Sequence, residues 1–398
     1  RDAVQPTPPS TSRHGRAAPR PLSWVGEADP VTSKERGHAA LRREGVDRVP
    51  VFVWLHPDTA RRLARLLEIP AGDVAGAMGD DVRMTWVNNN WAMEGVVHER
   101  DGGSHTDPWG ITWRKEGAFN QPAAFPLAGA TREEVLAYRL PDDRFDFLLG
   151  LMAPVLARAD RYFVGCDVSP CAFEMYGRLR GLEDAAADLA ADPPLAREML
   201  ARCAGFAREL ARRACDEMPL DWLWCGDDVA GQQGLVMSPA AWRDMIKPLL
   251  AGVFAEGKRR GLWVAHHCCG ALRPIIPDLV EIGLDVLNPV QAGCPGMDPL
   301  ELKREFGEHL AFMGGVDTQG LLPFASPAEV RRATERLIDG MSAPAGGRGA
   351  GGYILAGSHT VPPETPDDNI FALYAAAGIG REEICDRAAD IRAAIDRE

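Results

Sequence analysis

LWVAHHC (262–268), DVLNPVQ (285–291), LAFMGGVD (310–317) and GYILAGSH (352–359) are four apolar runs of strand length, each reaching a polar group at or near its C-terminal end. Apolar side chains at successive positions leave no face for water, so such runs suit parallel strands covered on both sides by helices. Four more precede them: PVFVWLH (50–56), DVRMTWVN (81–88), YFVGCDV (162–168) and DWLWCGDD (221–228). The intervening segments, such as EVRRATERLIDGM (329–341), carry apolar residues at helical spacing. Eight strand–helix units predict an α/β fold of the (β/α)8 TIM barrel type. A doubly wound open sheet is the alternative, but no G-x-G-x-x-G fingerprint follows the first run.

The chain has 398 residues, enough for one such barrel with insertions. Its 46% hydrophobic and 25% charged residues exclude a disordered chain and a coiled coil. With 44 Lys and Arg against 57 Asp and Glu, the formal charge is −13, which argues against a nucleic acid partner. No apolar run reaches the roughly 18 residues that cross a bilayer, and no charged n-region leads into an apolar segment. The expectation is a cytoplasmic protein without a membrane partner. Nine cysteines are too sparse for a disulfide scaffold and read as reduced thiols, with the adjacent Cys268 and Cys269 standing apart.

Residues 1–30 hold six prolines and little periodicity, so they read as a disordered or non-native arm, and 31–398 as a single barrel domain. The gap between the second and third runs is too long for one crossover. Its stretch HERDGGSHTDPWGITWRKEG (98–117) has turn signals at Asp101-Gly102-Gly103 and Asp107-Pro108, which predict an inserted β-hairpin between strands 2 and 3.

In a barrel, functional groups project from the C-terminal strand ends, here His56, Asn88, Asp167, Asp227, Asp228, His267, Cys269, Gln291, Asp317 and His359. The sharpest signal is VAHHCCG (264–270). Strand side chains alternate, so His267 and Cys269 share one face while His266 and Cys268 share the other. An H-x-C pair supplies nitrogen and sulfur donors suited to zinc, and His359 at the last strand end is the best-placed third ligand. The alternative is that Cys269 packs as a small apolar group and His267 acts without metal. Asp227 and Asp228 are candidates to orient a ligand, relay a proton or cap the next turn. His56, Asn88, Tyr176, Gln291 and Asp317 are candidates to shape a substrate pocket, with turn-forming or structural roles as alternatives for the amide cluster Asn88–Asn90 and for Tyr176 and Glu174 in CAFEMYGRLRG.

The segments EGVDRVPVFVW, HHCCGALRPIIPDLVEIGLDVLNPVQ, FMGGVDTQGLLPFASPAEV and GGYILAGSHTVPPETPDDNIFALYAAA resemble, in order and spacing, the uroporphyrinogen decarboxylase superfamily. The resemblance runs from about Val31 to Gly378 and implies a TIM barrel. That superfamily includes tetrapyrrole decarboxylases and zinc-dependent methyltransferases working with corrinoid proteins. The decarboxylases resemble R-Q-A-G-R after the first strand, where this chain reads WLHPDTARR (54–62) and lacks the arginine pair. The methyltransferase branch holds zinc with an H-x-C pair and a later cysteine; His267 and Cys269 match the pair, and His359 stands in the place of the cysteine. An imidazole there raises the positive charge of the site, which suits polarising an ether-type oxygen better than activating a thiol.

The resemblance therefore implies a methyltransferase moving a methyl group between a small-molecule methyl donor and a corrinoid protein, with zinc as cofactor at His267, Cys269 and His359. No D-x-H-x-x-G motif is present, so the corrinoid would arrive on a partner protein. A homodimer is compatible with this reading. The rival readings are a metal-free carboxy-lyase acting on a tetrapyrrole or other carboxylate, and a non-catalytic binding barrel.

Overall fold

The computed structural model describes residues 31–89 and 100–397. The arm expected over 1–30, Asn90 of the amide cluster and the first two residues of the expected hairpin segment lie outside the described residues. In chain order the strands are β1 Val82–Trp86, β2 Ser104–Thr106, β3 Thr112–Glu116, β4 Phe119–Ala124, β5 Phe163–Asp167, β6 Trp222–Gly226, β7 Ala230–Gly231, β8 Gly234–Leu235, β9 Trp263–His267, β10 Val286–Asn288, β11 Ala311–Val316 and β12 Tyr353–Gly357. Seven of them form one parallel sheet in the order β1-β5-β6-β9-β10-β11-β12, with helices between most neighbours.

Every residue of β5, β6, β11 and β12 is buried, as strands packed on both faces must be. One face meets the helices. The other fills the inside of the curled sheet with Trp222, Trp224, Met313 and Ile354, and Leu41 of the helix Ser33–Arg42 joins this interior cluster. Gly165 on β5 shows how tightly this layer is packed: a Cβ there would lie 1.9 Å from the indole nitrogen of Trp222.

The first expected strand departs from regularity. PVFVWLH pairs with β12 and the residues after it only through isolated bridges, Val51 with Leu355 and Leu55 with Val361. On its other side the amide of Asp81 donates to the Val51 carbonyl at 2.7 Å. The amides of Val51 and Val53, however, donate to the carboxylates of Asp81 and Asp80, at 2.9 and 3.4 Å. Carboxylates stand where a neighbouring strand would offer carbonyls, so no continuous ladder forms.

Between β1 and β5 the chain builds a three-stranded antiparallel sheet, β2-β3-β4, rather than the two-stranded hairpin expected. The third strand, FNQPAA, carries Pro122 and no β-branched residue, which hid it from a propensity reading. Asp107 anchors this sheet. It accepts from the amides of Trp109 and Ile111, from the Trp113 indole and from the Asn89 side chain. No described helix is long and apolar enough to cross a membrane.

Candidate metal centre

β9 ends at His267, and β12 ends two residues before His359. β10 and β11 lie between them in the sheet, and the curl of the sheet brings His267, Cys269 and His359 together, with one potential ligand atom of each lying within 4.8 Å of the others. Cys269 Sγ is 3.3 Å from His267 Nε2. The side-chain alternation expected along β9 holds: His266 turns to the outer layer, where it is 1% exposed and its ring packs 5.6 Å from that of Phe254.

The imidazole of His267 is fixed by Asn288 of β10. Asn288 Nδ2 donates to the Met313 carbonyl at 3.2 Å, which turns Oδ1 towards His267 Nδ1 at 2.7 Å. Nδ1 must then carry the proton, and Nε2 presents its lone pair to the cluster. His359 makes no side-chain hydrogen bond among the described residues; its ring stacks on Trp54, with centroids 6.2 Å apart and planes 15° apart. Burial, and then the neighbouring His267, push the His359 imidazole down to about 4. Burial, and then Asp228, push the Cys269 thiol well above the usual thiol range. Two imidazoles with available nitrogens and a desolvated thiol are a donor set that fits zinc.

The loop carrying Cys269 is held from two further strand ends. Asp228, following β6, accepts from the Cys269 amide at 2.8 Å, and Gln291, following β10, accepts from the Gly270 amide at 2.7 Å. Gly270 has φ +88°, and a Cβ there would come within 2.3 Å of the Gly231 carbonyl oxygen, so a side chain would displace the loop. Gln291 thus positions the ligand loop, a different task from the substrate contact expected of it. Burial, and then the Glu174 carboxylate, raise the Asp228 carboxyl.

Asp227 and Asp228 part company. Asp227 is fully buried and accepts from the amides of Ala172, Phe173 and Glu174, at 3.0, 3.1 and 2.8 Å, at the start of the helix Phe173–Arg180. Of the three tasks open to it, the carboxylate performs capping, of an earlier helix rather than of the next turn. Burial nevertheless pushes it up to about 7.

Three of the five expected pocket residues also have their polar groups engaged elsewhere, and a fourth, Asn88, has its Nδ2 engaged while its buried Oδ1 has no hydrogen-bond partner among the described residues. His56 is 1% exposed; its Nδ1 accepts from the Asp58 amide at 3.1 Å, capping a helix, and its Nε2 donates to the Ala118 carbonyl at 2.8 Å. Asn88 donates to the carbonyls of Val168 and Pro170, tying the loop after β5. Tyr176 is fully buried on a helix and donates to Asp188. Asp317 accepts from the amides of Gln319, Gly320 and Leu321 in the turn after β11.

Sequence reasoning missed Asn288, Trp54 and Arg178. Asn288 sits in an Asn-Pro pair that reads as a turn, and Trp54 looks like one more apolar residue of its run. Arg178 donates to Glu174 and to the Asn89 carbonyl, both at 2.6 Å, and lies 5.4 Å from the Trp86 ring. Its only advance sign is the i, i+4 spacing from Glu174.

The matching family model is that of uroporphyrinogen decarboxylase (URO-D), over residues 163–378. Two curated uroporphyrinogen decarboxylases, from two strains of Thermus thermophilus, are each 28% identical over 158 residues, which is 40% of this chain. The match spans 41% of the length of either relative. A methyltransferase from Methanosarcina mazei has a similar fold, with a TM-score of 0.61 at 16% identity, covering 88% of this chain and 99% of that one. The family model covers more than half of the chain, including His267, Cys269 and His359, and on that match the chain belongs to the uroporphyrinogen decarboxylase family.

Proposed function

We propose that this chain is a methyltransferase that moves a methyl group between a small ether-type donor and a corrinoid protein, with zinc held by His267, Cys269 and His359. The observation that carries the reading is the convergence of those three donors within 4.8 Å, with His267 Nε2 made available by Asn288. When bound, zinc supplies a Lewis acid able to polarise a donor oxygen.

The remaining tasks fall to the chain. Asn288 keeps the His267 ring in one orientation and one tautomer. Asp228 and Gln291 hold the backbone of Cys269 and Gly270, so the thiol keeps its distance from the imidazoles. Trp54, stacked on His359, restrains that ring and covers one side of it against water. Asp228 is the carboxylate available for proton relay, since Asp227 is held by three amides.

A second reading, a metal-free carboxy-lyase, draws support from the curated relatives, which are decarboxylases. Against it stand the arginines of WLHPDTARR. Arg61 pairs with Asp58, and Arg62 pairs with Asp367 at 2.7 Å, so both are engaged in ion pairs on the helix after the first run. A substrate with many carboxylates would need free guanidinium groups there.

Metal analysis of the purified chain, and of His267→Ala, Cys269→Ser and His359→Ala, separates the readings. One zinc per chain, lost in each variant while circular dichroism stays unchanged, supports methyl transfer. No metal in the parent chain after growth in zinc-supplemented medium moves the lyase ahead.

A further inference from the structure

In the turn after β5, residues 168–171, the backbone is fastened from three sides. The amides of Val168 and Cys171 donate to the carbonyls of Trp224 and Gly226 on β6, at 3.0 and 2.8 Å. The Ser169 amide donates to Asp167 Oδ1 at 2.8 Å, and the Ser169 carbonyl accepts from the Trp86 indole. Asn88 Nδ2 donates to the carbonyls on either side of that residue, those of Val168 and Pro170, at 3.1 and 2.9 Å. The Ser169 hydroxyl is left over: the residue is 6% exposed, and its Oγ has no hydrogen-bond partner among the described residues.

That hydroxyl stands beside the candidate centre. Trp224 belongs to the packed interior of the curled sheet, so by alternation Gly226, two residues on, turns its bare Cα to the same side. A Cβ at Gly226 would lie 2.6 Å from Ser169 Oγ and 3.3 Å from the Cβ of His267, its register partner on β9. The Ser169 hydroxyl and the His267 side chain therefore flank one glycine, whose missing side chain gives the hydroxyl its room. Trp86, which holds the Ser169 carbonyl, packs 6.2 Å from Trp54, the residue stacked on His359. A buried hydroxyl without a partner costs stability and calls for a group that completes it. Here a firmly held turn presents a hydroxyl that the turn itself does not use.

We propose that Ser169 donates a hydrogen bond to the oxygen atom that a ligand presents to the centre, and so sets a preference for oxygen over sulfur at that position. The proposal rests on the reading that His267, Cys269 and His359 hold a metal. Oxygen is a strong acceptor and sulfur a weak one, so a fixed hydroxyl tells the two apart. In methyl transfer from an ether, the O–C bond breaks with its electron pair left on oxygen, while the carbon bonds to an electron pair of the corrinoid acceptor. A donor already aimed at that oxygen stabilises the charge as it develops, without reorganisation of the turn.

The test uses the full chain loaded with cobalt(II) in place of zinc, and metal uptake is measured first. Phenol and thiophenol, alike in shape and each with one donor atom, are then titrated against the cobalt absorption. Ser169→Ala should weaken phenol by ~10-fold or more and thiophenol by less than about 3-fold. Without either probe the variant should melt at the parent temperature or up to ~3 °C above it, because it loses a hydroxyl that has no partner. A clear fall in melting temperature assigns the hydroxyl to the turn and overturns the proposal. An equal loss for both probes, an undiminished affinity for phenol, or a parent chain that does not bind phenol overturns it as well. Failure to take up cobalt or zinc overturns the metal reading itself, so the two failures are told apart at the first step.

Discussion

Asn288 Oδ1 lies 2.7 Å from His267 Nδ1, and this contact decides which nitrogen of the imidazole faces Cys269. Asn288→Ala should weaken zinc binding ~10- to 100-fold while leaving the three ligands in place. Competition against a chromophoric chelator measures it. Unchanged affinity would mean that the ring is oriented by its packing alone.

His359→Cys should keep the metal, because zinc accepts thiolate or imidazole and the end of β12 fixes the approach. The cobalt-loaded variant should show roughly twice the sulfur-to-cobalt absorption of the parent, as one thiolate becomes two. Activity towards an ether-type donor should fall. Full retention of that activity with two thiolates present would assign His359 to substrate contact.

Asp227→Ala should cost about 2–4 kcal/mol of stability, since three amides at the start of the helix Phe173–Arg180 lose their acceptor. Urea denaturation gives the value, and zinc content per folded chain should not change. Loss of metal at unchanged stability would return Asp227 to the centre.

Asp80 bears on pH dependence. Burial pushes its carboxyl up to about 7, against the opposing influence of Arg83 and of hydrogen bonds from Tyr374 and Val53. The folded chain therefore keeps a proton that the unfolded chain releases near pH 4. By linkage, this group makes the chain less stable as pH rises from about 4 to about 7, and adds no further slope above that. Asp80→Asn should remove that decline, measured as melting temperature across pH 4–8 relative to the parent. Parallel profiles for the two proteins would show that Asp80 is ionised throughout.

Strands such as β5, β6, β11 and β12 were legible because both their faces are apolar and only a covered parallel strand tolerates that, whereas β1 carries Arg83 and Thr85 and is half-buried along most of its length. The pairing of His267 with Cys269 was legible from a period of two. What a linear reading could not separate was capping from chemistry: Asp227 and Asp228 are neighbours in the chain, and only the position of the much earlier helix Phe173–Arg180 decides that one binds amides there while the other reaches the Cys269 loop. His56 has the same ambiguity, although a polar residue before Pro57 at a helix start is itself a capping signal. Asn288 was invisible for another reason. Its partner lies 21 residues away on the neighbouring strand, and no local pattern encodes such a contact.

The segment 50–56 carries a consequence for how the fold comes apart. Seven strands are held by backbone ladders, but this one relies on isolated bridges and on Asp81, a carboxylate gripped by both Arg36 and Arg48 at 2.6 Å. Amides of a strand fastened in this way should exchange with solvent well before those of β6 or β11, marking it as the stave that leaves first. Because Trp54 rides on it, the earliest breathing motion of the sheet and the loss of the ring stacked on His359 would be one event.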